Sequence, residues 1–314
     1  MISVIIPAYN VANYIEDCIK SVTSQDFKDL EIIIVNDGST DGTLDKARQC
    51  ALADSRIKVL SQPNGGPSEA RNRGLRESVG DKIFFVDGDD KVLPGALTFL
   101  NDLLETTDAD ISCGAYTKRD IPIDNRDYKV YDSEPAELIE LLLYQTTVVT
   151  VSCWGKLFRR KLFEDVKFTS GILYEDLEIS CRLFEKASKI VYTERPVIYY
   201  RTNGSSLLHT FSLQRLDVLT VTDSIEKWAA TRSPELRKAA SDRRLSAAFN
   251  MLGLFAANRK EGDFEEVYSK CYEIIKSRRM QSLFNRKVRF KNKIGILASF
   301  LGKKTLTGIL KSYY

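Results

Sequence analysis

Histidine is almost missing from this chain: His209 is the only one in 314 residues, and a lone imidazole is more often a bystander than a catalytic group. The six cysteines, Cys18, Cys50, Cys113, Cys153, Cys181 and Cys271, include no C-x-x-C pair. That spacing argues against a zinc site or a disulfide frame and for reduced thiols in a cytosolic protein. No apolar run approaches the roughly 20 residues needed to span a bilayer. Met1 leads directly into the strand-like Ile2-Ser3-Val4-Ile5-Ile6 without a basic start, so no signal peptide is expected. Neither G-x-G-x-x-G after the first strand nor G-x-x-x-x-G-K-[ST] is present, which removes the dinucleotide and P-loop fingerprints. Acid is also missing locally: from Lys276 to Tyr314 there are eleven Lys/Arg and no Asp/Glu. The rest of the chain is net acidic, although the whole carries only +3, so the tail is a separate electrostatic object.

What remains, 43% hydrophobic and 28% charged, is the composition of a soluble globular protein. Its length suffices for one large domain plus an appendage. The first half alternates strand-like and helix-like stretches, the pattern of a parallel sheet with crossover helices. Strands are expected at Ile2–Ile6, Glu31–Val35, Arg56–Leu60, Ile83–Val86 and Ala109–Ala115. Helices are expected from about Asn13, over Thr43–Ala53 with Thr40 or Asp41 as cap, from Ser68, and over Pro94–Glu105.

Each of the first four strands runs into a polar cluster. These are Pro7-Ala8-Tyr9-Asn10, Asn36-Asp37-Gly38-Ser39-Thr40-Asp41-Gly42, Gln62-Pro63-Asn64-Gly65-Gly66-Pro67, and Asp87-Gly88-Asp89-Asp90. Any one of them reads equally well as a turn. Together they line the carboxyl rim of a sheet, where open α/β folds bind ligands. Two acids one residue apart suit a hard divalent cation shared with substrate phosphates.

Further on, Glu175-Asp176 precedes a helical face of Leu177, Cys181 and Phe184. Acids at a helix start are favoured by the helix dipole alone. Trp154, within Cys153-Trp154-Gly155-Lys156-Leu157-Phe158, reads either as a sugar-stacking ring or as core. Short strands are expected at Val191–Tyr192 and Val197–Tyr200, followed by Arg201-Thr202-Asn203-Gly204-Ser205-Ser206. From about Phe211 the periodicity is that of a helical bundle. Its basic end, with Ile294-Gly295-Ile296-Leu297-Ala298-Ser299-Phe300-Leu301, reads as a helix on an anionic membrane surface, or as one packed on its own protein or a second subunit in a homodimer. No nucleic-acid recognition motif accompanies the basic residues.

Pro7–Asn10, Val35–Asp41, the Ala70-Arg71-Asn72 helix start and Asp87–Asp90, in that order and spacing, resemble a family 2 glycosyltransferase of the GT-A fold over roughly residues 1–205. The resemblance implies an α/β, Rossmann-like, mostly parallel sheet flanked by helices. The expected division is a GT-A domain at 1–209 (nucleotide-binding half 1–115, acceptor half 116–209) and a helical region at 210–314. It also implies inverting transfer of a hexose from a UDP-sugar to a glycan, glycolipid or glycoprotein acceptor, at the inner face of the cytoplasmic membrane. Pro7, Tyr9 and Asp37 would hold the uridine, and Arg71 would approach the base or phosphates. Asp87 would face ribose and metal, and Asp89 would ligate Mn²⁺ or Mg²⁺. Arg201 and Ser205, with His209 as a further candidate, would reach the diphosphate. Asp176 would be the general base, with Glu175 as its partner or substitute. Two other classes stay open: a nucleotidyltransferase, which lacks the Gly-rich basic loop it needs after the first strand, and a catalytically silent carbohydrate-binding or scaffold protein.

Overall fold

The computed structural model describes residues 1–119, 127–202, 212–258 and 265–312. The first four strands are β1 (Ile2–Ala8), β2 (Leu30–Asp37), β3 (Ile57–Gln62) and β4 (Lys82–Phe85). They pair in parallel in the order β3-β2-β1-β4. Ala8 lies beside Asn36, Asp37 beside Gln62, and Ile5 beside Phe85. Parallel pairing in this register places the ends of all four strands at one edge, so the four polar clusters share a rim.

The strands are nearly continuous apolar runs because helices cover both faces. Alternation sends Ile2, Val4, Ile6, Ile32 and Ile34 to a core shared with α1 (Ile15–Thr23) and α4 (Ala96–Thr106). It sends Ile33 and Val35 to the opposite face, against Ala70 of α3 (Pro67–Glu77). Gly74 lets α3 approach β1, since a Cβ there would lie 2.3 Å from Ile5 Cγ2. That close approach brings Arg71, one turn earlier, to the rim. The helix α2 (Thr43–Ala53) has the expected bounds. Its cap is Gly42, while Asp41 Oδ1 accepts from the Thr43 amide at 3.0 Å.

Beyond β4 the sheet is mixed. The order continues through β8 (Lys156–Arg159), β6 (Ile111–Thr117), β9 (Ile190–Tyr199) and β5 (Lys91–Val92), and β7 (Val130–Ser133) pairs with β9. β8 is antiparallel to both β4 and β6. The two short strands expected around Pro196 are instead the single strand β9. Its pairing with β6 shifts register between Cys113 and Ala115, with Ala115 opposite Pro196. Proline has no ladder donor, and such an irregularity lets it stay inside a strand. A Cβ at Gly114 would meet Val197 Cγ1 at 2.5 Å, so glycine is required at the shift. After α5 (Pro135–Tyr144), the helix α6 (Glu175–Lys186) buries Leu177, Cys181 and Phe184 as its periodicity predicts.

The chain forms two compact units: Met1–Leu138, Thr147–Gly171 and Glu175–Asn203 in one; Ile139–Thr146, Ile172–Tyr174 and Gly204–Tyr314 in the other. The second is helical, with α7 (Asp217–Ala229), α8 (Pro234–Asn258), α9 (Glu265–Phe284), α10 (Phe290–Ser299) and α11 (Lys303–Lys311). Its core includes Leu245, Phe249, Leu252, Phe255, Cys271, Ile275, Ile296 and Leu306. None of the six cysteines is in a disulfide. No helix among the described residues is long and apolar enough to cross a membrane.

Candidate active site

The rim is built on two loops that fold back on each other. Gly38 takes φ +73°, and a Cβ there would lie 2.7 Å from the Asn64 nitrogen, so the loop after β2 closes against the loop after β3 only with glycine. Within this closure Asp37 is buried, and its carboxylate accepts from Gln62 Nε2 at 2.7 Å and from the Gly65 and Gly66 amides at 2.9 and 2.8 Å. Three donors to a carboxylate with about four acceptor positions leave one of them open. Asp41 accepts from Ala12 and Thr43; burial opposes its charge, but these hydrogen bonds outweigh it and hold its pKa low. Tyr9 stands exposed at the end of β1, while Pro7 is buried and its carbonyl accepts from the Gly88 amide at 3.2 Å.

Asp87, Asp89 and Asp90 occupy the turn after β4, where the Asp90 amide donates to the Asp87 carbonyl at 3.0 Å. Asp87 and Asp89 are partly exposed; Asp90 is buried. Asp90 Oδ1 accepts from the Arg201 amide at 2.9 Å, and its Oδ2 is buried without a hydrogen-bond partner. Burial, then the charge of Asp87, pushes Asp90 up to about 8. The Arg201 side chain donates to the Asp89 carbonyl at 3.0 Å and lies over Tyr14, 4.8 Å from the ring centre. Ser205 and His209 lie outside the described residues.

Arg71 joins these acids to the other pair. Its guanidinium, 4% exposed, donates through Nη2 to Asp87 at 3.0 Å, and through Nη1 to Glu175 at 2.8 Å and Asp176 at 3.4 Å. Burial works against its charge, but Asp176 and Asp87 more than compensate and raise its pKa further. Phe168 lies beneath it, 5.4 Å from ring centre to Cζ, and Asn72 fixes that segment by exchanging two 2.9 Å hydrogen bonds with the Phe168 backbone. Glu175 is pushed up by burial and by Asp176, against the pull of Arg71. Asp87 is likewise raised by burial first, with Asp89 and Asp176 adding to it.

Sequence reasoning placed Arg71 near the base or phosphates and missed its acid partners, which are 104, 105 and 16 positions away. It also assigned no part to Asp90 or to Lys156. The latter is 2% exposed, donates to the Ser152 carbonyl at 2.6 Å, and has its pKa lowered by burial. Trp154 is 7% exposed and stacks on Tyr200, 5.8 Å between centres, so the core reading of this ring is the observed one.

Among the described residues, no three Asp, Glu, His or Cys side chains form a cage for a metal ion. Asp87 and Asp89, with the unpartnered Asp90 Oδ2 behind them, still offer the hard oxygen donors that Mg²⁺ or Mn²⁺ takes, and magnesium is commonly held by one or two carboxylates plus substrate phosphates. The donor set fits such a cation, with a ligand completing its shell.

Residues 3–167 match the family model described as Glycosyl transferase family 2. Glycosyltransferase GlyA of Streptococcus pneumoniae is 34% identical over 219 residues, which are 66% of this chain and 31% of that relative, so the chain spans about a third of GlyA. The structure of S. aureus TarS 1-349 in complex with UDP-GlcNAc is similar with a TM-score of 0.75 at 19% identity, covering 99% of this chain and 91% of that one. The mannosyltransferase PcManGT of Pyrobaculum calidifontis, solved with GDP-Man and Mn2+, gives 0.58 at 16% identity, covering 98% and 84%. The mostly parallel mixed sheet with its flanking helices is thus the GT-A fold anticipated from the motifs. On the strength of a family match over more than half its length, the chain belongs to glycosyl transferase family 2.

Proposed function

We propose that this chain is an inverting glycosyltransferase that moves a hexose from a UDP-sugar to a hydroxyl of a glycan, glycolipid or glycoprotein. Its catalytic domain is residues 1–209, with donor contacts in 1–115 and acceptor contacts in 116–209, followed in the chain by a helical region at 210–314. The observation that carries this reading is the shared guanidinium of Arg71, which holds Asp87 of the donor-side loop and the Glu175–Asp176 pair within reach of one side chain. The nucleotide sugars in the TarS and PcManGT structures, and the Mn2+ of the latter, support a sugar nucleotide and a divalent cation here.

Tyr9 offers an open aromatic surface to the base, and Asp37, already rigid in its loop, accepts from the uracil edge, with Pro7 beneath. Arg201 and Ser205 attend the diphosphate. When bound by Asp89 and Asp87, the cation supplies Lewis-acid stabilisation of the departing diphosphate. Asp176 takes the proton of the acceptor hydroxyl. Its carboxylate suits that role better than that of Glu175. The hydrogen bonds to Asp176 from Arg71 and from the Cys153 amide are long at 3.4 Å, whereas Glu175 is bound at 2.8 Å and less exposed. A weakly held, more open carboxylate is freer to turn to a substrate. Glu175 then orients Arg71.

A screen of UDP-sugars and GDP-mannose for nucleotide release, with and without Mn²⁺ or Mg²⁺ and with a mixture of oligosaccharide acceptors, tests this. Cation-dependent release from one UDP-sugar is expected. Release from GDP-mannose alone overturns the donor assignment, and release at equal rates in a chelator overturns the cation.

A further inference from the structure

The helical unit exposes a stripe that its own packing does not use. Phe290, Ile294, Leu297 and Leu301 are spaced i, i+4, i+7 and i+11, which is one side of α10 continued into the turn after it. Phe290, Leu297 and Leu301 are 78%, 56% and 71% exposed, and Phe284, at the end of α9, is 77% exposed. The other side of α10 is already committed. Ile296 and Ala298 belong to the bundle core, and Gly295 is so close to Phe249 that a Cβ would lie 2.9 Å from its ring. The helix is therefore seated, and the open apolar side chains are surplus to the fold. Single exposed apolar residues are ordinary, but a cluster of them marks an interaction surface.

The charge around the stripe selects the partner. No acid occurs from Lys276 to Tyr314, where there are eleven Lys/Arg. Arg286, Lys291, Lys293 and Lys304 form no ion pair with a described acid. Lys291 has its pKa lowered by partial burial and then by the like charges of Arg289 and Arg243, a crowding that no carboxylate of the segment relieves. A second copy of this chain meeting the first across a twofold axis would bring the same positive segment to the same place. An anionic lipid surface would answer the charge and accept the apolar groups at once.

We infer that α10 and the turn after it are a lipid-docking surface: Phe290, Leu297 and Leu301 enter the interface of an anionic membrane, and Arg286, Lys291, Lys293 and Lys304 meet its headgroups. This does not depend on the transfer chemistry, and it is tested without turnover.

Full-length protein is sedimented with vesicles of phosphatidylcholine alone or with about one-third phosphatidylglycerol, at low and high salt. Binding to the anionic vesicles at least about tenfold tighter than to the neutral ones is expected, weakening with salt as surface charge is screened. The triple variant Phe290→Ser/Leu297→Ser/Leu301→Ser should lose that binding while keeping the wild-type melting temperature. Lys291→Gln/Lys293→Gln/Lys304→Gln should lose the preference for anionic lipid. Equal binding to both vesicles, no binding to either, or a dimer in solution that the triple serine variant dissolves overturns the inference.

Discussion

Arg71 Nη1 donates to Glu175 Oε1 at 2.8 Å across 104 positions of sequence, with both side chains nearly closed to water. The same guanidinium holds Asp87 through Nη2. Removing the cation leaves three acids facing one another without the guanidinium that joins them. Arg71→Met should cost about 3–5 kcal/mol at neutral pH, the usual result of deleting one member of a buried ion pair. Arg71→Lys should recover little, because one ammonium cannot replace a planar fork bonded on two sides. Urea unfolding at pH 7 measures both; a Met variant as stable as wild type would mean that the network contributes nothing to folding.

Asp176→Asn keeps the size and polarity of the side chain but cannot take a proton. Transfer should fall by about 10²–10⁴, the range a positioned base contributes, with UDP affinity little changed. Acceptor turnover and calorimetric UDP titration separate the two effects. A near-normal rate would move the role of base to Glu175.

Asp89→Ala should abolish the Mn²⁺-dependent part of UDP binding. The fold should survive, since Asp89 is partly exposed and sits in a turn after β4. Titrating UDP with Mn²⁺ and again with a chelator gives the difference directly. If the variant shows the same difference as wild type, Asp89 is not a ligand.

Asp110 lies at the start of β6, 3% exposed, and accepts from Lys161 Nζ at 2.6 Å and the Ser188 amide at 2.7 Å. Burial opposes its charge, yet these two partners hold its pKa below the ordinary value. A folded-state pKa below the unfolded one adds stability that is complete above about pH 4–5, where the unfolded carboxyl has ionised, and disappears as pH falls through the folded value. Asp110→Asn should therefore cost about 1.5–3 kcal/mol at pH 7, the worth of hydrogen bonds to a charged group. The gap in melting temperature should close toward pH 3 and below. A gap that is constant from pH 7 to pH 3 would show that the charge is irrelevant.

The helix α2 has the expected bounds, and the starts of β1 and α6 are within a residue of expectation, because apolar periodicity and turn residues mark them locally. The rim could also be anticipated: if four strands run parallel, whatever follows each of them shares an edge. The strand β9 was misread as two because Pro196 is a local stop signal, and it is overridden by a register shift against β6 that only the partner strand creates. The acid partners of Arg71 stay hidden in the sequence for a related reason. Its helix could be read, but its partners come from other parts of the chain.

The sequence alone settled the alternation of strands and helices, the family motifs at the strand ends and the acid-free, basic end of the chain, because each is written within a dozen or so neighbouring residues. The tertiary structure decided that Asp87 and Glu175–Asp176 meet at one guanidinium, that Trp154 is packed rather than presented, and which side of α10 is left open. Those outcomes depend on close approaches such as Gly74 to Ile5 and Gly295 to Phe249, where pairs of elements distant in sequence settle against each other. Local periodicity carries no term for such distances.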